Sequence, residues 1–489
     1  MLDMNCRLKR VGLRVAHLWG ILGLTMLLSA TVNAQQWLDD PGQLGHYAIG
    51  HTSYQFVDKD AGNRPVAISV WYPANAGNIH SSTPPAQYLT DPYSLKLPTT
   101  VSTDWEKLGF DRAYEAPTSS NDGPFPLLMV SPASGCDNWC YIFIGTRLAS
   151  HGYVVAVIDH WADGQWSWSL SDDLLTVMVH RPRDVSFAIT QLLAKSVTRG
   201  ELLFRAIDPE RIAASGHSIG GYATYTLAGG DDLVCDALWP VVWGNDSLPY
   251  PANTCVPTPP DPRIKTIISL DGSSQLLRYR ELARVSVPSL IMGETPDQSE
   301  AMVPDLRDWI ARPHAAIDRH DSYRVDVNGA NHYSFTNYCD AFRVWFNLGW
   351  ISSDYLAANE DSWPCATTGS SPPPATISAA DAHEVVTKYM IALLDISFAV
   401  PKGDHSIFTK EYALSHTPTV QFFDSEECHA ALPDDSYFTY RPYQFSRECD
   451  VAQKDTAGWF SSQSASSNSD PMLLTPAPGG RFRLPKKPF

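Results

Sequence analysis

The sequence predicts an α/β fold with a mostly parallel central sheet and helices on both faces, and three observations carry that expectation. Residues 153–158, with Val154, Val155, Val157 and Ile158, form an apolar run without alternation, as a strand covered on both faces requires. Runs of this kind are separated by helical stretches, and strand, helix, strand in succession implies parallel pairing with right-handed crossovers. A GxSxG stretch at Gly216 to Gly220 stands between a short apolar strand and a small-residue helix, the place where such sheets carry their chemistry.

In chain order, residues 66–72 read as a strand paired antiparallel with 54–57 across a turn at 58–63. Residues 125–130 form the next strand, followed by a small-residue loop at 131–135 and a helix through Arg147 and Leu148. The 153–158 strand leads to a helix over 184–193, then to the strand 211–214 that ends at the GxSxG turn. Residues 264–270 and 289–292 give two more buried strands, and 323–327 the last. After a Pro- and Ser-rich connection at 367–375, Ser378 and Asp381 form a capping-box pattern. Val385, Tyr389, Met390, Leu393 and Ile396 then recur at helical spacing. No internal repeat is evident.

Residues 1–34 read as an export signal: Arg7, Lys9, Arg10 and Arg14 precede an apolar stretch too short to span a bilayer, and Val32, Asn33 and Ala34 fit a cleavage site. Residues 35–452 are expected to form one catalytic domain and 453–489 a mobile tail. Removing the signal, with its four basic residues and one acidic one, would deepen the net charge of −17 by three. An acidic secreted or periplasmic protein of this kind argues against nucleic acid and stable membrane insertion, and suits a small-molecule or polymeric substrate. Oligomeric state is not legible. Eight cysteines follow the signal, and proximity suggests Cys136 with Cys140, Cys235 with Cys255, Cys339 with Cys365, and Cys428 with Cys449. No CxxC pair occurs, so a cysteine zinc site is not expected.

On a strand-to-helix turn, GxSxG is a nucleophile elbow, which presents the Ser218 hydroxyl and the Ile219 N–H at the top of the sheet. Such a serine takes an acid and then a histidine downstream. His332, on a loop after the final strand, is the expected base. Asp271 and Asp297 each follow a strand between the two, and spacing leaves both open as the acid. The loop at 159–168 carries Trp161, Trp166 and Trp168, an aromatic rim for a cleft or packing for the loop itself, and 161–175 is long enough to act as a lid. His180, Arg181 and Asp184 read as a structural cluster joining that loop to a helix.

Six ordered stretches carry a resemblance: 64–74, 148–155, 180–185, 216–221, 269–272 and 332–336. Together they resemble the platelet-activating-factor acetylhydrolase and dienelactone-hydrolase-like branch of the α/β-hydrolases, over roughly residues 40 to 425. The resemblance implies the α/β-hydrolase fold and a secreted serine esterase or lipase that forms an acyl-enzyme without metal or cofactor. In the acetylhydrolases the acid follows the strand after the elbow strand, which favours Asp271 in its Leu270-Asp271-Gly272 setting; in similar polyester-hydrolysing cutinases it sits one strand later, at Asp297. Those acetylhydrolases carry Ser-His-Gly where this chain has Ser131-Pro132-Ala133-Ser134-Gly135-Cys136. The departure leaves the Cys136 N–H as the expected second oxyanion donor. Short or medium acyl esters and lipid-like esters are the expected substrates, with an extracellular polyester as the alternative. A non-catalytic binding protein on the same fold is the reading from another class.

Overall fold

Ten strands build one sheet in the order β10-β9-β8-β7-β6-β4-β5-β2-β1-β3. These are β1 Ala48–Asp58, β2 Arg64–Ala74, β3 Tyr114–Glu115, β4 Phe125–Ser131, β5 Val154–Asp159, β6 Ile207–His217, β7 Ile264–Leu270, β8 Ser289–Glu294, β9 Ser322–Val327 and β10 Val420–Phe423. From β5 through β4, β6, β7 and β8 to β9 every pairing is parallel, and antiparallel β2 and β10 flank that block. The helices are α1 Ile142–Ser150, α2 Leu170–Val197, α3 Ile219–Gly229, α4 Tyr279–Leu282, α5 Leu306–Ala316, α6 Ala379–Ser397 and α7 Lys410–His416. This computed structural model describes residues 40–86, 110–133, 136, 138–160, 170–231, 258–274, 277–294, 306–340, 376–400, 405–416 and 420–423. The expected signal, Asp297, Trp161, Trp166 and the expected tail lie outside them, as does most of the proposed lid.

Why the sheet is covered on both sides follows from alternation along its strands. Leu128, Val130, Val155, Val157, Ile268, Leu270, Leu290, Met292, Val325 and Val327 share one buried cluster with side chains of α1 and α6. Their neighbours Leu127, Met129, Val154, Ala156, Ile212, Ala214, Ile267 and Ile291 are equally buried and lie outside that cluster, on the side where α3 packs against β4, β6 and β7. The result is the α/β-hydrolase fold: a mostly parallel sheet with a helical layer on each face and a serine turn at the end of a central strand.

Several elements depart from the expectations in length. Helix α2 begins at Leu170, fourteen residues ahead of the predicted start, and runs through Pro182. The expected lid segment therefore overlaps regular helix at 170–175. Tertiary anchors hold the helix near the proline: Arg181 donates to the Pro132 carbonyl, and Arg64 makes a two-pronged pair with Asp184 at 2.8 Å each. Strand β8 extends two residues further than predicted, to Glu294. Strand β10 was not anticipated as a strand at all; Phe422 and Phe423 close the β9 edge. The capping pattern of α6 is observed, with Ser378 Oγ accepting from the Asp381 N–H at 3.1 Å.

Candidate active site

Because the central strands are parallel, their carboxyl ends share one edge, and five chemistry-bearing segments meet there. Ser131 ends β4, Ser218 follows β6, Asp271 follows β7, Glu294 ends β8, and His332 stands five residues beyond β9. Ser218 caps α3 with φ 55° and ψ −126°, the strained elbow that L residues rarely adopt. Small neighbours make it possible: a Cβ on Gly216 would come 2.0 Å from the Gly220 carbonyl oxygen, and one on Gly220 would come 2.0 Å from that of Ser131. Asp271 also has a positive φ, 43°. The two turns clasp each other, with the Ser218 N–H on the Leu270 carbonyl at 3.2 Å and the Ser273 N–H on the Ser218 carbonyl at 2.7 Å.

His332 opens a short helical turn, His332–Phe335, capped by the Asn331 side chain, which accepts from the Tyr333 N–H at 3.1 Å. The loop is docked on both helices of its layer: the Asn337 side chain accepts from the Phe143 N–H at 2.9 Å, and the His383 ring bonds the Thr336 carbonyl at 2.9 Å. So placed, His332 turns its Nδ1 onto Asp271 Oδ2 in a buried hydrogen bond. Of the two candidate acids, Asp271 thus contacts His332, and Asp297 lies outside the described residues. Ser218 remains partly exposed, and its chain neighbour His217 lies against the His332 ring, tilted by 35°, at 4.5 Å between centroids.

His217 sits in the variable slot of the motif, and its part was invisible there. It is buried, and its two ring nitrogens are both engaged: Nδ1 with the Tyr141 hydroxyl at 3.0 Å, and Nε2 with the His332 carbonyl at 2.9 Å. A carbonyl only accepts, so Nε2 carries the proton and Nδ1 accepts from Tyr141. The same Tyr141 oxygen accepts from the Ala133 N–H at 2.7 Å. One polar chain thus links the loop after β4 to the backbone of His332. Burial, and secondarily the charge of His332, push the His217 pKa well down, so this ring is neutral.

The loop after β4 is tied from below as well. Ser131 Oγ bonds His160 Nε2 at 3.1 Å, His160 Nδ1 bonds Asp184 Oδ2 at 2.8 Å, and Arg64 neutralises Asp184. Burial alone would raise the Asp184 pKa, but the hydrogen bonds and charges of His160 and Arg64 outweigh it and hold the carboxyl low. Arg181 and Asp184 of α2 thus bond to the chain on the sheet side, at Pro132, His160 and Arg64. Cys136 and Cys140 are joined by a disulfide, as proximity suggested, and Cys339 is disulfide-bonded as well. The Cys136 N–H donates to the Ala133 carbonyl at 3.3 Å, closing a turn, whereas the Ile219 N–H is at the first helical position, where no intrahelical acceptor exists.

Glu294 is the functional-site carboxyl that sequence reasoning missed. Among the described residues, Asp271, Glu294 and His332 form the one group with ligand-type atoms all within 4.8 Å of one another, a set that could hold a metal ion. As they stand, His332 Nδ1 is directed at Asp271, and a Glu294 oxygen lies within 4.8 Å of the pair. No helix among the described residues is long and apolar enough to cross a membrane.

No family model matches the chain. It is 30% identical over 140 residues to the bis(hydroxyethyl) terephthalate hydrolase of Streptomyces coelicolor, a match covering 29% of this chain and 40% of that protein. The solved ferulic acid esterase from Streptomyces cinnamoneus is 19% identical with a TM-score of 0.48, over 77% of this chain and 97% of the esterase. The chain spans well under half the length of the curated relative it matches, and over that stretch it is similar to a protein named for ester hydrolysis.

Proposed function

We propose that the protein is a secreted serine hydrolase that cleaves carboxylic esters through Ser218, His332 and Asp271. The observation that carries this reading is the buried His332–Asp271 hydrogen bond together with a serine on a strained elbow, next in the chain to the histidine that packs on the His332 ring. His332 Nε2 takes the Ser218 proton as the hydroxyl attacks the ester carbonyl and returns it to the alkoxide as the ester C–O bond breaks and the alcohol leaves; Asp271 holds the ring in the tautomer that leaves Nε2 free, and water then releases the acyl group by the same steps. The Ile219 N–H faces the developing oxyanion. Cys136 would serve as the second donor only by exchanging its bond to Ala133 for one to the oxyanion. Nucleophile, base and donors are all protein groups, so the chemistry calls for no cofactor. Export is supported by the basic and apolar pattern of residues 1–34 and by the oxidised Cys136, Cys140 and Cys339.

The activity for which the Streptomyces coelicolor relative is named favours an ester of an aromatic acid over a lipid-like ester, and it keeps a polyester substrate in view. The test is a fluorophosphonate probe with mapping of the labelled peptide, beside hydrolysis of p-nitrophenyl esters of graded chain length and of bis(hydroxyethyl) terephthalate. Labelling of Ser218 and turnover of at least one ester are expected. Folded protein that neither labels nor turns over would instead be the binding protein.

The Ala133–Tyr141–His217–His332 chain makes a second prediction. Tyr141→Phe and His217→Gln are each expected to lower kcat/KM by about tenfold, and the double variant hardly further, since both cut one chain. Additive losses in a double-mutant cycle would show that the two residues act separately.

A further inference from the structure

Glu294 ends β8 between the strands that supply the acid and the base, is 2% exposed, and has no part in the mechanism above. Its position follows from register: Leu270 pairs with Met292, so Asp271 lies beside Gly293, whose Cβ site is 3.4 Å from Asp271 Oδ1. The Asp271 N–H is bonded to the Met292 carbonyl at 2.6 Å, which pins the two strand ends together. Asp271 Oδ2 is taken by His332, while Asp271 Oδ1 and Glu294 Oε2 are buried without a hydrogen-bond partner among the described residues. Two buried carboxyl groups with oxygens within 4.8 Å of each other, each with an oxygen lacking a donor, are satisfied together only if one of them carries a proton.

We propose that Glu294 is a positioning residue held as the neutral acid, donating its proton in a hydrogen bond to the Asp271 carboxylate and so extending the site to Glu294–Asp271–His332–Ser218. The surroundings agree with that assignment. From β7 it meets Asp271, from the loop after β9 His332, and from β9 Asp326, whose charge is paired with Arg324 at 2.8 Å. Helix α5, packed on β8 and β9, contributes buried Arg312, which lies over the Tyr279 ring at 5.0 Å, and buried His314. Burial first, then the Asp271 charge and hydrogen bond, then the Asp326 charge, push the Glu294 carboxyl well above its ordinary range. With its proton, Glu294 takes up one Asp271 oxygen and directs the other at His332.

This role rests on the serine-hydrolase reading for its effect on rate, but its protonation state can be tested without turnover. A group whose folded pKa is raised stabilises the fold fully below its unfolded value and loses that contribution as pH rises toward the folded one. The wild type should therefore fall behind Glu294→Gln in Tm, by a gap that widens as pH climbs above 4.5, the ordinary glutamate value. Gln keeps a donor toward Asp271, so its kcat should stay within about threefold of wild type, whereas Glu294→Met, which has none, should lose about tenfold or more in kcat at unchanged KM. The pH–rate profile of Glu294→Gln should overlay that of wild type, because no charge has been removed. A Tm gap that does not vary with pH, or a Gln variant with a displaced profile, overturns the proposal even if the Met variant fails to fold. Fluorophosphonate labelling of the wild type reports separately on the hydrolase reading.

Discussion

Ser218→Ala is expected to lower kcat for ester hydrolysis by about 10⁶-fold and to abolish fluorophosphonate labelling, with the fold intact. The size follows from what remains. Alanine keeps the elbow backbone, the His332–Asp271 pair and the Ile219 N–H, but supplies no atom to form the acyl bond, so only direct attack by water survives. Ser218 is only partly buried, and removing one oxygen there opens no core cavity. An unchanged Tm together with a collapsed rate is the expected pair of measurements; a variant retaining a tenth of wild-type activity would place the nucleophile elsewhere.

Asp271→Asn should cost about 10⁴-fold in kcat at little cost in KM. Asp271 is fully buried and accepts from His332 Nδ1. An amide turned to donate toward Nδ1 selects the tautomer with the proton on Nε2, where it blocks acceptance of the serine proton. The substitution is nearly isosteric, so the loss should appear in rate and not in folding. Asp297 gives the counter-test: Asp297→Asn should leave the rate within about threefold of wild type if Asp271 is the acid. If Asp297→Asn were the crippling change, the acid would lie one strand later.

Much of this site was legible because its signals are local. Gly216, Ser218 and Gly220 lie within five residues, and the order of serine, acid and histidine follows chain direction. Strand β5 was readable because burial on both faces leaves no polar residue from Val154 to Ile158. Glu294 was not readable, since a carboxylate after an apolar run looks like a strand ending; only the Leu270–Met292 register sets it against Asp271. His217 was hidden for a different reason. Its partners, Tyr141 and the His332 carbonyl, are 76 and 115 residues away, and no periodicity encodes such contacts. The length of α2 was missed because Pro182 reads as a helix breaker, while Arg64, far upstream, anchors the chain just beyond it.

The φ of 55° and ψ of −126° at Ser218 lie where a side chain costs on the order of 1–3 kcal/mol and glycine costs almost nothing. Native sequence thus tolerates its least comfortable conformation at its most reactive atom. An inert Ser218→Gly chain should consequently outlast the working enzyme on heating, so that durability and reactivity are opposed at a single position.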